Sequence, residues 1–288
     1  MTKQISLYIS IIFKLAKKLD IKAIISLSFI VLLLLLSIFV PLFFSIDPNA
    51  FNPNTISDPM PPSLTHLFGT DDLGRDIFIR CIYGARISLM VGFISVSISI
   101  GIGLCIGLFA GYFGGILDEI LMRTVDLFMA IPSIFLILAI QVILTPSIYN
   151  VMIVIGLTSW MGVARLVRAE VLAIKELLFI TSTKARGLYF KTVLFKHILP
   201  HCLNPVIIAA MLGMGSAILT ESVLSYLGLG VQPPHASWGN MLENSLSFMA
   251  DAPWMAIIPG VLITLTVLSL NFLGDTLRSI LNPKEYHA

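Results

Sequence analysis

No charged side chain stands between Arg86 and Asp118, and none appears from Leu127 to Ala164. Each run exceeds the ~20 residues an apolar helix needs to cross ~30 Å of hydrocarbon. Lipid offers backbone N–H and C=O groups no partners, so runs of this kind are helical. The depletion holds along the whole chain: 12% of its 288 residues are charged, against about 25% in soluble domains. A polytopic all-α membrane protein follows, rather than a soluble domain with one anchor.

Six spans are predicted, at about residues 23–44, 87–112, 120–144, 149–168, 202–222 and 253–275. Pro146-Ser147 and Asn150 divide the second charge-free run, which is too long for one crossing. The first span follows Lys14, Lys17, Lys18 and Lys22. It is longer than a secretory signal core and lacks a small-x-small cleavage site, so it reads as retained. Cys81, Cys105 and Cys202 are widely spaced and odd in number, which gives neither a disulfide framework nor a metal set.

Lysine and arginine set the orientation. With both termini in the cytoplasm, fifteen of these residues lie inside and three (Arg75, Arg80, Arg86) outside, as the positive-inside rule requires. This places Phe179–Pro200, FITSTKARGLYFKTVLFKHILP, in the cytoplasm. The spacing predicts two short helices parted near Gly187, where glycine permits a positive φ. Lys184, Arg186, Lys191 and Lys196 make the segment basic. By its residues alone it is either a docking surface for a soluble partner or an interfacial amphipathic helix meeting anionic headgroups.

The segment resembles the coupling loop of ABC importer permeases, which runs Glu-Ala-Ala, then glycine, then His-x-Leu-Pro. Gly187, His197, Leu199 and Pro200 stand at matching positions, and Lys184 stands where a basic residue is usual. Thr181, Ser182 and Thr183 replace the Glu-Ala-Ala core, and His201 replaces an asparagine. The resemblance extends to Phe68–Asp76, FGTDDLGRD, followed by Arg80, Gly84, Arg86, Ser88 and Leu89. It continues through Glu221–Gly230, Pro233-Pro234 and Ser237-Trp238-Gly239. These segments are similar to the signatures of the C-type subunit of the dipeptide/oligopeptide/nickel permease group.

That resemblance implies a type I ABC importer permease fold with six transmembrane helices. It implies a multi-pass protein of the cell inner (plasma) membrane that forms half of a pathway for peptides, nickel or metal chelates. The partners it implies are a second permease, two cytoplasmic ATPases and an extracytoplasmic substrate-binding protein. Thr181, Lys184, Ala185, Arg186, Gly187, Leu188, His197 and Pro200 are the expected ATPase-coupling residues. Residues 1–86 form the tail, first span and outer segment; 87–276 the permease core, with its coupling loop at about 170–200; and 277–288 a cytoplasmic tail.

Asp71, Arg75, Asp76, Glu221 and Trp238 are candidates for the outer mouth or pathway. Asp71, Asp72, Arg75, Asp76 and Arg80 also read as a turn with solvated ion pairs, each worth about 0–1 kcal/mol. Glu221 either lines the pathway or caps the adjacent turn. Trp238 and Trp254 are expected near the outer interface, where amphipathic rings collect. Asp126 lies three residues after Arg123, a spacing for a local ion pair. Gly103, Gly107 and Gly111 form a small-xxx-small row that lets helices approach closely, within this chain or against a partner permease.

No Walker A, HExxH or catalytic-triad pattern is present in the sequence, and the outward histidines His66 and His235 have no metal spacing. Neither a cofactor, a metal nor nucleic acid is expected; lipid is the one non-protein neighbour. The chain reads as no enzyme, with ATP hydrolysis in separate subunits. The rival class is a secondary transporter or channel driven by an ion gradient, which needs buried carboxylate chains or broken-helix ion sites.

Overall fold

The computed structural model describes residues 20–44, 46–50, 58–185 and 187–281. Among them every regular element is helical, apart from one isolated bridge between Thr70 and Asp76. Helix α1 (Ile21–Phe43) opens with the Asp20 carboxylate accepting the Ile21 N–H. Helix α2 (Ile77–Phe113) has 37 residues, about 55 Å at 1.5 Å per residue. Its first ten residues precede the expected start of the second span. They carry Arg80 and Arg86, which lipid would reject, but Arg80 is lodged against protein.

Helices α3 (Gly115–Met129) and α4 (Ser133–Ile143) replace the single third span, with an 80° bend between them. Pro132 sits at the break. Proline has no N–H to donate and pushes the preceding residue out of helical geometry. Helix α5 (Ile148–Lys175) ends short of α6 (Leu178–Ala185). Helix α7 (Phe190–Tyr226) runs straight on from the basic segment, through a π turn at Val193–Ile198 just before Pro200. A short α8 (Trp238–Glu243) precedes α9 (Trp254–Leu281). Helices α1, α2, α5, α7 and α9 are each long and apolar enough to cross a membrane, and the bent α3–α4 pair brings the number to six when counted as one broken span.

The α2–α5 seam organises the bundle. A Cβ added at Gly103 would sit 2.6 Å from the Val163 side chain, and one at Gly107 2.6 Å from the Ala164 carbonyl oxygen. At Gly111 it would meet Val171 at 2.7 Å, and from α5 a Cβ at Gly156 would meet Ile98 at 2.7 Å. The glycine row therefore packs within this chain, with α2 and α5 running parallel. Lipid supplies no hydrophobic drive between helices, so close backbone approach and hydrogen bonds carry the association. Ser95 contributes one such bond, donating to the Met152 carbonyl across the seam at 2.9 Å.

Two ends of the bundle result. At the loop end α1 finishes, α2 and α9 begin, and residues 58–76 and 227–253 fold over the helices. The basic end gathers the last turns of α2 and α5, all of α6, and the start of α7. There Lys175 donates its Nζ proton to the Tyr112 carbonyl at 2.8 Å.

Candidate functional site

At the loop end Asp71 is the centre of a buried charge cluster, with 7% of its surface exposed. One carboxylate oxygen accepts the backbone N–H groups of Leu73 (3.0 Å) and Arg75 (2.9 Å). The other accepts Arg75 Nε at 2.7 Å and lies 3.5 Å from Arg80 Nε. Gly69 and Gly74, at φ 75° and 71°, let the chain coil this tightly around one side chain. Asp76 caps α2 by accepting the Ile79 N–H at 3.1 Å, and its second oxygen lies 2.8 Å from His66 Nδ1.

Arg80 also donates to Asn49 Oδ1 at 3.2 Å, Tyr83 to the Ile46 carbonyl at 2.8 Å, and Trp254 Nε1 to the Thr70 carbonyl at 3.2 Å. The cluster thus ties the α1–α2 connection to the starts of both α2 and α9. The ion pairs around Asp71 are enclosed, not solvated, which corrects the reading from the sequence. Burial first, and then the neighbouring Asp71, push the Asp72 carboxyl above its ordinary value; Arg75 pulls the other way.

Glu221 has no exposed surface. Its Oε1 accepts the hydroxyls of Ser225 (2.6 Å) and Ser237 (2.8 Å), and its Oε2 that of Ser88 (3.5 Å). Each serine oxygen in turn accepts a backbone N–H, from Val231 (2.9 Å), Asn240 (3.2 Å) and Trp238 (3.3 Å) respectively. One carboxylate therefore pins residues 231–240 to α2 and α7. Trp238 is equally enclosed, donating Nε1 to the Cys81 carbonyl at 3.0 Å, while Trp254 is tied to Thr70. Neither Glu221 nor Trp238 lines an open mouth. Of the two tryptophans expected at the interface, Trp238 is instead buried in protein, because the 227–253 segment folds inward onto α2, and Trp254 is half-buried.

The basic end is built differently. Arg168 on α5 holds Asp118 on α3 through two bonds, of 2.5 and 2.6 Å. Asp126 pairs with Arg165 on α5, and Arg123 pairs with Glu119 at 3.0 Å, so the expected Arg123–Asp126 pair is replaced. Helix α6 sits on the bundle through Ile180, which is buried with Val171, Ile174, Val193, Leu194 and Ile198. Its other side is open: Leu178 is 86% exposed, and Tyr189, beyond the turn, 85%. Gly187 makes that turn at φ 72°, as the sequence predicts. Leu188 and Pro200 are exposed, and His197 is half-buried. Arg186 and the side chains of Thr181, Lys184 and Ala185 lie outside the described residues.

Midway along the bundle a cavity of about 230 Å³ lies between α2, α5 and α7. Ser95, Ser99, Ser159, Gly213, Ser216 and Thr220 are among its lining residues. None of the sequence candidates contributes to it. Hydroxyls four apart in apolar spans, Ser95/Ser99 and Ser216/Thr220, are the sequence signal that marks it.

The family model for the binding-protein-dependent transport system inner membrane component matches residues 103–285. The chain belongs to that family. This transport component is 44% identical, over 91% of its length and 86% of the relative's, to the dipeptide transport system permease protein DppC of Alkalihalophilus pseudofirmus. It is 38% identical, over 91% of its length and 85% of the relative's, to the oligopeptide transport system permease protein OppC of Bacillus subtilis. Among solved structures, an inward-facing MetNI methionine ABC transporter matches with a TM-score of 0.56 at 19% identity, covering 71% of this chain and 97% of that one. That likeness shows the all-helical fold of a type I importer permease, and the family and the two relatives make the transport component a multi-pass inner-membrane permease.

Proposed function

We propose that this chain forms half of the pathway of an ATP-driven peptide importer. A second permease completes the pathway, two ATPase subunits drive it, and a substrate-binding protein delivers the solute. The basic end faces the cytoplasm, the loop end faces outward, and both termini are inside. Residues 87–276 act as the permease core and about 170–200 as its coupling region. Peptides are preferred over nickel because the relatives at 44% and 38% identity are named for dipeptides and oligopeptides.

The observation that carries this reading is the two-faced α6 segment. Ile180 anchors it in the helix core, while Leu178 and Tyr189 stand out into solvent. An element held on one side and bare on the other transmits a push from a soluble partner into the spans. A partner shifts a two-state equilibrium only by touching the two states differently, and a helix anchored to the spans through one buried side chain gives it a place to do so. The test is reconstitution with the cognate partners in liposomes. ATP inside should drive uptake of dialanine presented on the binding protein. Uptake that follows a proton gradient and ignores ATP would sink the proposal.

A further inference from the structure

The cavity is walled mostly by apolar residues, among them Val96, Ile100 and Val163, and its polar side chains are all hydroxyls. Ser159 donates its proton to the Ile155 carbonyl at 2.7 Å, Ser216 to Leu212 at 3.3 Å, and Thr220 to Ser216 at 2.9 Å. Ser95 donates to Met152 at 2.9 Å. A hydroxyl has one proton and two lone pairs. With the protons turned into the backbone, the lone pairs are what remains for a solute. No lysine, arginine, aspartate or glutamate lines the space. Its volume of about 230 Å³ exceeds the ~150 Å³ of a cavity that takes up benzene. Ser159 and Ser216 are exposed, so it opens on one side of the bundle.

We infer that this cavity is a transit site for a short stretch of peptide main chain, whose N–H groups and terminal ammonium meet the hydroxyl lone pairs. The inference rests on the importer reading above and adds the site. Uncharged acceptors suit transit because a conducting site must bind well enough to admit and weakly enough to release. Nothing in the lining selects a charged side chain, so discrimination here is by size and by main-chain donors.

The complete reconstituted complex tests this, with saturating dialanine-loaded binding protein. Ser216→Phe fills the open side. ATP hydrolysis should stay within about twofold of the parent, while dialanine uptake falls to under about a tenth, since an occluded path cannot conduct. Ser159→Ala/Ser216→Ala/Thr220→Val keeps the space and removes three acceptors. Uptake should drop by about threefold or more, as expected for lost hydrogen bonds of modest worth. In a Cys105→Ala background, Ser216→Cys should react with a small water-soluble methanethiosulfonate and be protected by dialanine during turnover.

Uptake at the parental rate by the Ser216→Phe complex, or an unreactive Ser216→Cys, overturns the site. Dialanine uptake missing from the unsubstituted complex counts against the peptide reading instead, and reactivity at position 216 then decides the cavity alone.

Discussion

The loop end and the basic end use charge in opposite ways. Asp71 and Glu221 are enclosed, and each of their carboxylate oxygens has a donor. At the basic end Arg168 holds a half-buried Asp118, but Arg123, Arg165, Glu119 and Asp126 pair in the open, where ion pairs add little, and bare aromatic and aliphatic side chains surround α6. One end is fastened to itself and the other is left available. Local unfolding and docking elements are drawn from the less fastened parts of a protein.

The sharpest way to break the contrast is Asp71→Ala, which strands Arg75 and Arg80 in enclosed surroundings. Removing one member of a buried pair costs about 3–5 kcal/mol. Thermal unfolding in detergent should therefore show a large drop in Tm; a change within error would mean the cluster is as solvated as the sequence suggests. Next comes Glu221→Leu, which leaves the hydroxyls of Ser88, Ser225 and Ser237 without their acceptor, at about 1–3 kcal/mol for a stranded buried group. Hydrogen exchange should quicken at the amides of Val231, Trp238 and Asn240. Glu221→Gln keeps one acceptor oxygen and should cost less, so equal exchange in both variants would argue against the hub.

Along the seam, Gly107→Ala drives a methyl into the Ala164 carbonyl and should lose about 1–3 kcal/mol by overpacking. Gly101→Ala, with nothing within 4 Å of the added carbon, should stay within about 0.5 kcal/mol. At the basic end, Leu178→Asp and Tyr189→Ala should likewise leave Tm within the range of about 0.5 kcal/mol usual for surface changes. They should nevertheless weaken co-purification of the ATPases. A falling Tm with intact co-purification would reverse the comparison.

The smallest effect concerns Asp72. Its raised carboxyl favours the folded state when protonated, so that contribution is present at acid pH and lost as pH climbs past the raised value, above 3.8. Asp72→Asn should therefore raise Tm slightly at neutral pH, by about one or two degrees. The gain should vanish below the ordinary aspartate value. A gain that is independent of pH would assign it to something other than titration.

The six-span plan was legible because span length and charge exclusion are local properties of a sequence. Gly187 was legible for the same reason: a basic helical pattern with one glycine predicts its own turn. Asp126 was not. Arg123 stands three residues away, yet it takes Glu119 on the preceding turn, and Asp126 reaches across to Arg165. Choosing between equally near partners needs the neighbouring helix. Glu221 and Ser88 stand 133 positions apart, so no spacing rule joins them. The cavity escaped because its groups are neutral, and serine in an apolar run looks like any small packing residue until three helices are brought together.

Helix α2 is nearly twice as long as the hydrocarbon layer is thick. It is clamped at its first turns by the Asp71 cluster, and at its far end it touches α7 through Phe113 and Phe190, with ring centroids 5.8 Å apart. A stiff rod of about 55 Å that pivots by about ten degrees at its clamped end swings the other end by roughly 10 Å. Leverage is thus built into chain length: a barely perceptible rotation near the clamp and a stroke of several side-chain widths near Phe113 are the same motion, read at two radii.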